Sequence, residues 1–288
     1  MSIWPNFFIV GAPRAGTTSL YEYLKKIPEI YMSSIKEPNY FATNIDPNLL
    51  LSKPVKEKSK YLELFKNVTS EKAIGEASPN YLWDENAPKL ISENVPDAKI
   101  IIILRNPVER AYSHYLMHMS NGSENRPFKQ VIEEALKSST NDYVRRIIEC
   151  GYYYKQILNY RKYFPENQIK IFRYEDLEKN TRQMIKDILD FLGVSASIPE
   201  DLSIRYNRYS VPRGDVSATI LANNTAKNIG KKVLPNSVGT YILKKIFNKE
   251  IKKPDLPLEE KQLLEKIYAD DSRNLKKILQ FPINWSYL

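Results

Sequence analysis

Cysteine is all but missing from this sequence: Cys150 stands alone in 288 residues. No intrachain disulfide can form and no cysteine-built zinc site is available, which fits a reducing, cytoplasmic setting. Histidine is nearly as scarce, with two residues. His114 and His118 share one helical face at a spacing that could ligate metal, but no nearby carboxylate or cysteine completes a set. Both are expected to be structural or surface residues, and no metal site is expected. Long apolar runs are lacking too. The longest, such as Ile100 to Leu104, fall far short of the ~20 residues that cross a bilayer. The start of the chain has no charged region followed by a longer hydrophobic stretch of the secretory kind. Membrane insertion is therefore not expected.

With 42% hydrophobic residues the chain can bury a sizeable core. Lysine and arginine number 43 against 34 acidic residues, and the net +9 suits nucleotides, anionic polysaccharides, nucleic acid or membrane surfaces as partners. Charge alone does not choose among them.

Phe7 to Val10 is a short, continuous apolar run closed by Gly11, as in a strand buried on both faces, and Ser19 to Lys26 then reads as a helix. Lys99 to Leu104, with four consecutive isoleucines, is the strongest strand signal, and Asn106-Pro107 stops it ahead of a helix from Val108 to Met119. Ile169 to Phe172 reads as a further strand between helices at Tyr152 to Tyr163 and Thr181 to Leu192, with a short strand at Ala73 to Gly75. Strands alternating with helices predict an α/β fold with a mostly parallel central sheet flanked by helices. Ser210 to Pro257, rich in lysine, asparagine and proline, predicts loops and short helices, and Leu258 to Leu279 a closing helix.

Directly after the first strand comes Gly11-Ala12-Pro13-Arg14-Ala15-Gly16-Thr17-Thr18-Ser19. Its glycines let backbone amides approach a phosphate at a helix N-terminus. In the nucleoside-triphosphate pattern G-x-x-x-x-G-K-S/T a lysine reaches the β and γ phosphates, but here Thr17 holds that position and the positive charge sits earlier, at Arg14. A magnesium-dependent relative would also place an aspartate at the end of the Ile100 to Leu104 strand. Arg105 stands there instead, followed by Ser113, so a guanidinium and a hydroxyl can surround a second phosphate. Two phosphate sites without metal ligands suggest a nucleotide whose phosphates are separated.

Arg14-Ala15-Gly16-Thr17-Thr18 resembles the 5'-phosphosulfate loop K/R-x-G-T-T/S of sulfotransferases that use 3'-phosphoadenosine 5'-phosphosulfate (PAPS). Arg105-Asn106-Pro107-Val108-Glu109-Arg110-Ala111-Tyr112-Ser113 resembles their 3'-phosphate motif R-x-P-x-x-R-x-x-S. The resemblance runs over most of the chain and implies a three-layer P-loop-type fold in a single domain over 1–288, with a helical C-terminal part from about 215 to 288. It also implies that PAPS is the sulfuryl donor and adenosine 3',5'-bisphosphate the product, with no metal required. Arg14, Ala15, Gly16, Thr17, Thr18, Ser19, Arg105 and Ser113 would bind the nucleotide. Arg213 and Gly214, in a late segment similar to the loop that closes over the 3'-phosphate, would join them.

Lys36-Glu37-Pro38-Asn39-Tyr40-Phe41 resembles the K-E-P-x-F-F segment of the heparan-sulfate and carbohydrate branch, whose glutamate acts as general base. Glu37 is by that match the catalytic candidate, since an attacking hydroxyl must give up its proton to a positioned group. Arg14 would stabilise charge without donating a proton, because a guanidinium does not deprotonate. Lys36, and Tyr152 through a G-x-Y-like segment, are substrate-binding candidates. Gly75-Glu76-Ala77-Ser78-Pro79-Asn80-Tyr81 resembles the branch's E-K-T/S-P-x-Y, with Ala77 where a lysine is usual, which weighs against a heparan-like polyanion. The expected acceptor is a hydroxyl, or an amine, of a carbohydrate or glycolipid, with peripheral membrane contact only for a lipid acceptor and no nucleic-acid partner. Two alternatives stand beside this one: a P-loop kinase or phosphotransferase, against which Thr17 and Arg105 speak, and a basic nucleic-acid- or anionic-lipid-binding protein, for which no recognised module is present.

Overall fold

The computed structural model describes residues 3–44, 53–137, 142–202, 210–212, 248–250 and 252–288. Five strands, Phe7–Gly11 (β1), Ile30–Met32 (β2), Ala73–Ala77 (β3), Lys99–Leu104 (β4) and Ile169–Arg173 (β5), form one sheet in the order β2-β3-β1-β4-β5. Every pairing in it is parallel. β1 and β4 lie at its centre, and their apolar runs are buried because neighbours cover both faces. Phe8 aligns with Ile100 on one side and with Glu76 on the other, so a carboxyl enters the core in a register otherwise held by apolar residues.

Helices flank the sheet: Thr17–Leu24 (α1), Lys58–Glu63 (α2), Ala87–Asn94 (α3), Pro107–Ser120 (α4), Phe128–Ala135 (α5), Asp142–Glu149 (α6), Tyr153–Arg161 (α7), Tyr174–Lys179 (α8), Thr181–Leu192 (α9) and the closing helix Leu258–Ile278. α4, α5, α6 and the closing helix share a second core, built around Tyr112, Phe128, Ile132, Ile147 and Tyr268. Among the described residues no helix is long and apolar enough to cross a membrane.

The strong apolar runs became strands where expected. α1 begins two residues earlier than its periodicity suggests, because Gly16 turns the chain straight into it. β2 was not anticipated; its three residues are held by pairing with β3 and carry no long run of their own. In the stretch expected to hold only loops and short helices, Ser210–Pro212 (β6) pairs antiparallel with Asn248–Glu250 (β7). The helical part expected from about 215 lies outside the described residues up to 247.

Strand order reverses about β1: the chain leaves it for the β2 edge and later returns by β4 to reach β5 on the other side. In open parallel sheets the crevice beyond the C-terminal ends of the strands at such a point receives ligands. Arg14 follows β1, Glu37 follows β2, Ser78 follows β3, Arg105 follows β4 and Tyr174 follows β5, so all five stand at that edge.

Candidate active site

The loop after β1 passes through two left-handed residues, Arg14 (φ 68°) and Gly16 (φ 84°). A side chain at Gly16 is disfavoured twice, by that φ and by Leu177, whose Cδ2 would lie 2.4 Å from an added Cβ. Gly16 caps α1 without a side-chain bond, and the first turn holds no acidic residue. The amides of Thr17, Thr18 and Ser19 therefore form the positive, first-turn end of a helix dipole, suited to an anion.

Arg14 Nε donates to Ser113 Oγ at 3.3 Å. Arg105 Nη1 donates to the Arg14 carbonyl at 3.2 Å, and its Nη2 pairs with Glu109 at 3.2 Å. The same guanidinium stacks 4.5 Å over the Tyr174 ring, and the Tyr153 hydroxyl donates to the Arg105 carbonyl at 2.9 Å. Asn106 accepts from the Val108 amide and caps α4, with Pro107 in the first turn. Ser113 lies in the second turn of α4 and is buried, its hydroxyl held by Arg14.

The cluster carries more positive charge than it neutralises. Burial, then repulsion from Arg105, lowers the Arg14 pKa to about 10, opposed by Tyr174 and Glu37. Lys253 joins the group: its ammonium lies 5.1 Å from the centre of the Tyr112 ring. Burial and Arg105 lower its pKa to about 8 against the pull of Glu109, with Arg14 adding further repulsion. Lys253 is not marked in the sequence, lying in a lysine-rich stretch 148 positions after Arg105; Tyr174, in a segment Tyr174-Glu175-Asp176-Leu177 that shares the family resemblance, meets the guanidinium because β4 and β5 are neighbours.

Glu37 (φ 60°) and Asn39 (φ 50°) are left-handed as well; with Arg14 they are the non-glycine residues of positive φ among those described. Such backbone strain persists only where surroundings over-determine it. The Glu37 amide donates to the Ala77 carbonyl at 3.0 Å, and Asn39 Nδ2 donates to the Glu37 carbonyl at 2.9 Å. Asn80 Nδ2 donates to Asn39 Oδ1 at 3.2 Å, and Arg146 in turn donates to Asn80 Oδ1. Lys36 pairs with the Glu37 carboxylate, both side chains being mostly buried.

Tyr152 packs edge-on against Tyr268 of the closing helix, 5.4 Å between ring centres, as part of the second core. Arg213 and Gly214 lie outside the described residues. His114 is buried beside Arg110, 3.3 Å from it through Nδ1, and adjoins the His118 ring. Burial and then the His118 charge lower the His114 pKa well below its ordinary value, while burial and Arg146 lower His118 to about 4. Among the described residues no group of three or more His, Cys, Asp or Glu side chains is placed to hold a metal ion.

Carbohydrate sulfotransferase 15 of Mus musculus is 29% identical over an alignment of 248 positions, covering 66% of this chain and 44% of that protein. The bifunctional heparan sulfate N-deacetylase/N-sulfotransferase 4 of the same species is 26% identical over 281 positions, covering 96% of this chain and 30% of that one. The chain thus spans less than half the length of these curated relatives. A sulfotransferase from Alicyclobacillus acidocaldarius superposes with a TM-score of 0.74 over 98% of both chains at 24% identity, which shows a shared fold. The family model described as Sulfotransferase domain matches residues 5–276, from just before β1 almost to the end of the closing helix and across every loop at the sheet's C-terminal edge. The chain belongs to the sulfotransferase family.

Proposed function

We propose that the protein moves a sulfuryl group from PAPS to a hydroxyl, or an amine, on a carbohydrate or glycolipid, leaving adenosine 3',5'-bisphosphate. The observation that carries this reading is that Arg14, after β1, donates to the buried Ser113 hydroxyl while Arg105, at the end of the neighbouring β4, donates to the Arg14 carbonyl, with Glu37 acting electrostatically on Arg14. A group of cations balanced only in part by Glu109 suits a ligand with two phosphorylated ends. Family membership supports the sulfuryl donor, and the names of the curated relatives support a carbohydrate acceptor. Ala77, in place of the lysine of the heparan-type segment, sets this chain apart from the polyanion-sulfating pattern.

In this reading Glu37 takes the acceptor proton as the acceptor oxygen bonds to sulfur and the bridging S–O bond breaks, the electron pair leaving with the 5'-phosphate. Arg14 and the α1 amides meet the charge that develops on the leaving group. Lys36, paired with its carboxylate, orients Glu37. Arg105, Ser113 and Lys253 hold the 3'-phosphate, with Arg213 and Gly214 as further candidates. A single catalytic domain in a reducing cytoplasm is part of the proposal.

Incubation with labelled PAPS and a panel of glycans, glycolipids, phenols and peptides tests it. Transfer to a sugar hydroxyl is expected, and Glu37→Gln should lose ~100-fold or more of turnover with unchanged affinity for adenosine 3',5'-bisphosphate. Full turnover in Glu37→Gln removes the base. Unchanged PAPS binding in both Arg105→Ala and Ser113→Ala removes the second phosphate site, and magnesium-dependent consumption of ATP in place of PAPS returns the kinase reading.

A further inference from the structure

Glu76 is fully buried in β3, beside β1, where an apolar side chain would serve the core better. The groups that face it are hydroxyls: Ser78 after the strand, Tyr61 from α2 and Tyr81 from the 3-10 turn Pro79–Leu82, with Tyr160 of α7 close enough to feel its charge. Two of these hydroxyls also serve the loop that carries Glu37. Ser78 Oγ accepts from the Asn39 amide at 3.1 Å, and the Tyr81 hydroxyl accepts from the Phe41 amide at 3.2 Å.

A hydroxyl has one proton to place. Ser78, accepting from Asn39, places its proton on Glu76 Oε2 at 3.3 Å. Tyr81, accepting from Phe41, lies against the same carboxyl. Remove the carboxyl and the Ser78 hydroxyl loses the acceptor of its proton, so that it can turn away from the Asn39 amide it now fixes, with the adjoining Tyr81 hydroxyl drawn into the same rearrangement.

We propose that Glu76 is a positioning residue which, by accepting the hydroxyl proton of Ser78 and lying beside the Tyr81 hydroxyl, keeps their oxygens turned toward the amides of Asn39 and Phe41 and so holds Glu37 in its left-handed conformation. The inference rests on the reading of Glu37 as the base. Burial raises the Glu76 pKa to about 8, opposed by the neighbouring Tyr81, Tyr61 and Ser78 hydroxyls. The group is therefore mostly neutral at pH 7, and glutamine, which keeps a carbonyl acceptor and one donor face, is its closest substitute.

Four variants test this: Glu76→Leu, Glu76→Gln, Ser78→Ala and Glu37→Gln. The readouts are amide hydrogen exchange over residues 36–44, calorimetric affinity for adenosine 3',5'-bisphosphate, and turnover of labelled PAPS with the best acceptor found. In Glu76→Leu and Ser78→Ala, exchange at Asn39 and Phe41 should rise ~10-fold or more. Turnover in both should fall ~10- to 100-fold with nucleotide affinity unchanged, whereas Glu76→Gln should restore both exchange and turnover to within ~3-fold of the parent. Should Glu76→Leu fail to fold, Ser78→Ala decides, since it removes one arm and leaves the core volume nearly intact. Parental exchange and turnover in Ser78→Ala, or a Glu76→Gln protein as impaired as Glu76→Leu, overturns the proposal. Glu37→Gln separates the two readings: if it keeps full turnover, the base assignment fails, while the exchange data still decide whether Glu76 holds the loop.

Discussion

The Arg105 guanidinium donates to the main-chain carbonyl of Arg14 at 3.2 Å, tying the loop after β1 to the end of β4. One planar group thereby makes three contacts: the carbonyl, the Glu109 carboxylate and the Tyr174 face. Only a flat, forked cation can satisfy a carbonyl and a carboxylate at its edge while stacking by its face.

Arg105→Lys should accordingly behave as a loss and not as a conservative change. Hydrogen bonds to charged groups contribute about 1.5–3 kcal/mol, so affinity for adenosine 3',5'-bisphosphate should weaken ~10- to 100-fold. Titration calorimetry on the folded variant reads this directly, and parental affinity would show that the fork is dispensable.

Lys253 gives the cluster a protonic signature. Its folded pKa, near 8, lies below the ordinary lysine value of 10.5, so between the two the free protein is short of a proton that an arriving phosphate would restore. Binding of adenosine 3',5'-bisphosphate at pH 8.5 should take up a fraction of a proton, seen as a dependence of the apparent enthalpy on buffer ionisation heat. Lys253→Ala should abolish that dependence and weaken binding several-fold. The same proton uptake in the variant would assign it to another group.

Gly16→Ala puts a methyl where φ is 84° and Leu177 already stands. The two penalties together predict a loss of about 1–3 kcal/mol, visible as a lower urea midpoint, together with weaker nucleotide binding. An unchanged midpoint would mean that the loop relaxes without cost.

Glu76 sets a pH trend in stability. Its carboxyl titrates near 8 when folded against an ordinary 4.5, so in that window the native state holds more protons than the unfolded chain. Its contribution is fully present below about 4.5, declines as pH rises and levels off above about 8. The melting temperature of Glu76→Gln relative to the parent should therefore climb from pH 5 to pH 8.5. A constant difference across that range would show that Glu76 does not titrate there.

Much of the frame was legible before any coordinates. β1 and β4 announce themselves because strands buried on both faces must be continuously apolar, and the turn at Gly11 to Ser19 and the break at Asn106-Pro107 follow from local chemistry. β2 was invisible because three residues gain stability only from a partner strand. The burial of Ser113 was equally hidden: a helical reading places a residue on a face but does not say what packs there. The part of Glu76 could not be read, since its place in the E-K-T/S-P-x-Y match says nothing of its burial or of the hydroxyls from distant segments that meet it.

Arg14 and Lys253 stand 239 positions apart along the chain and yet share one electrostatic environment. β1, the first strand made, has both flanks empty until β3 and β4 arrive to fill them. Contacts of such long sequence separation form late and slow the search for the native state. No fragment or half-collapsed intermediate will carry residual affinity for bisphosphate, so the return of binding during refolding will mark completion of the whole sheet, not the ordering of any one segment.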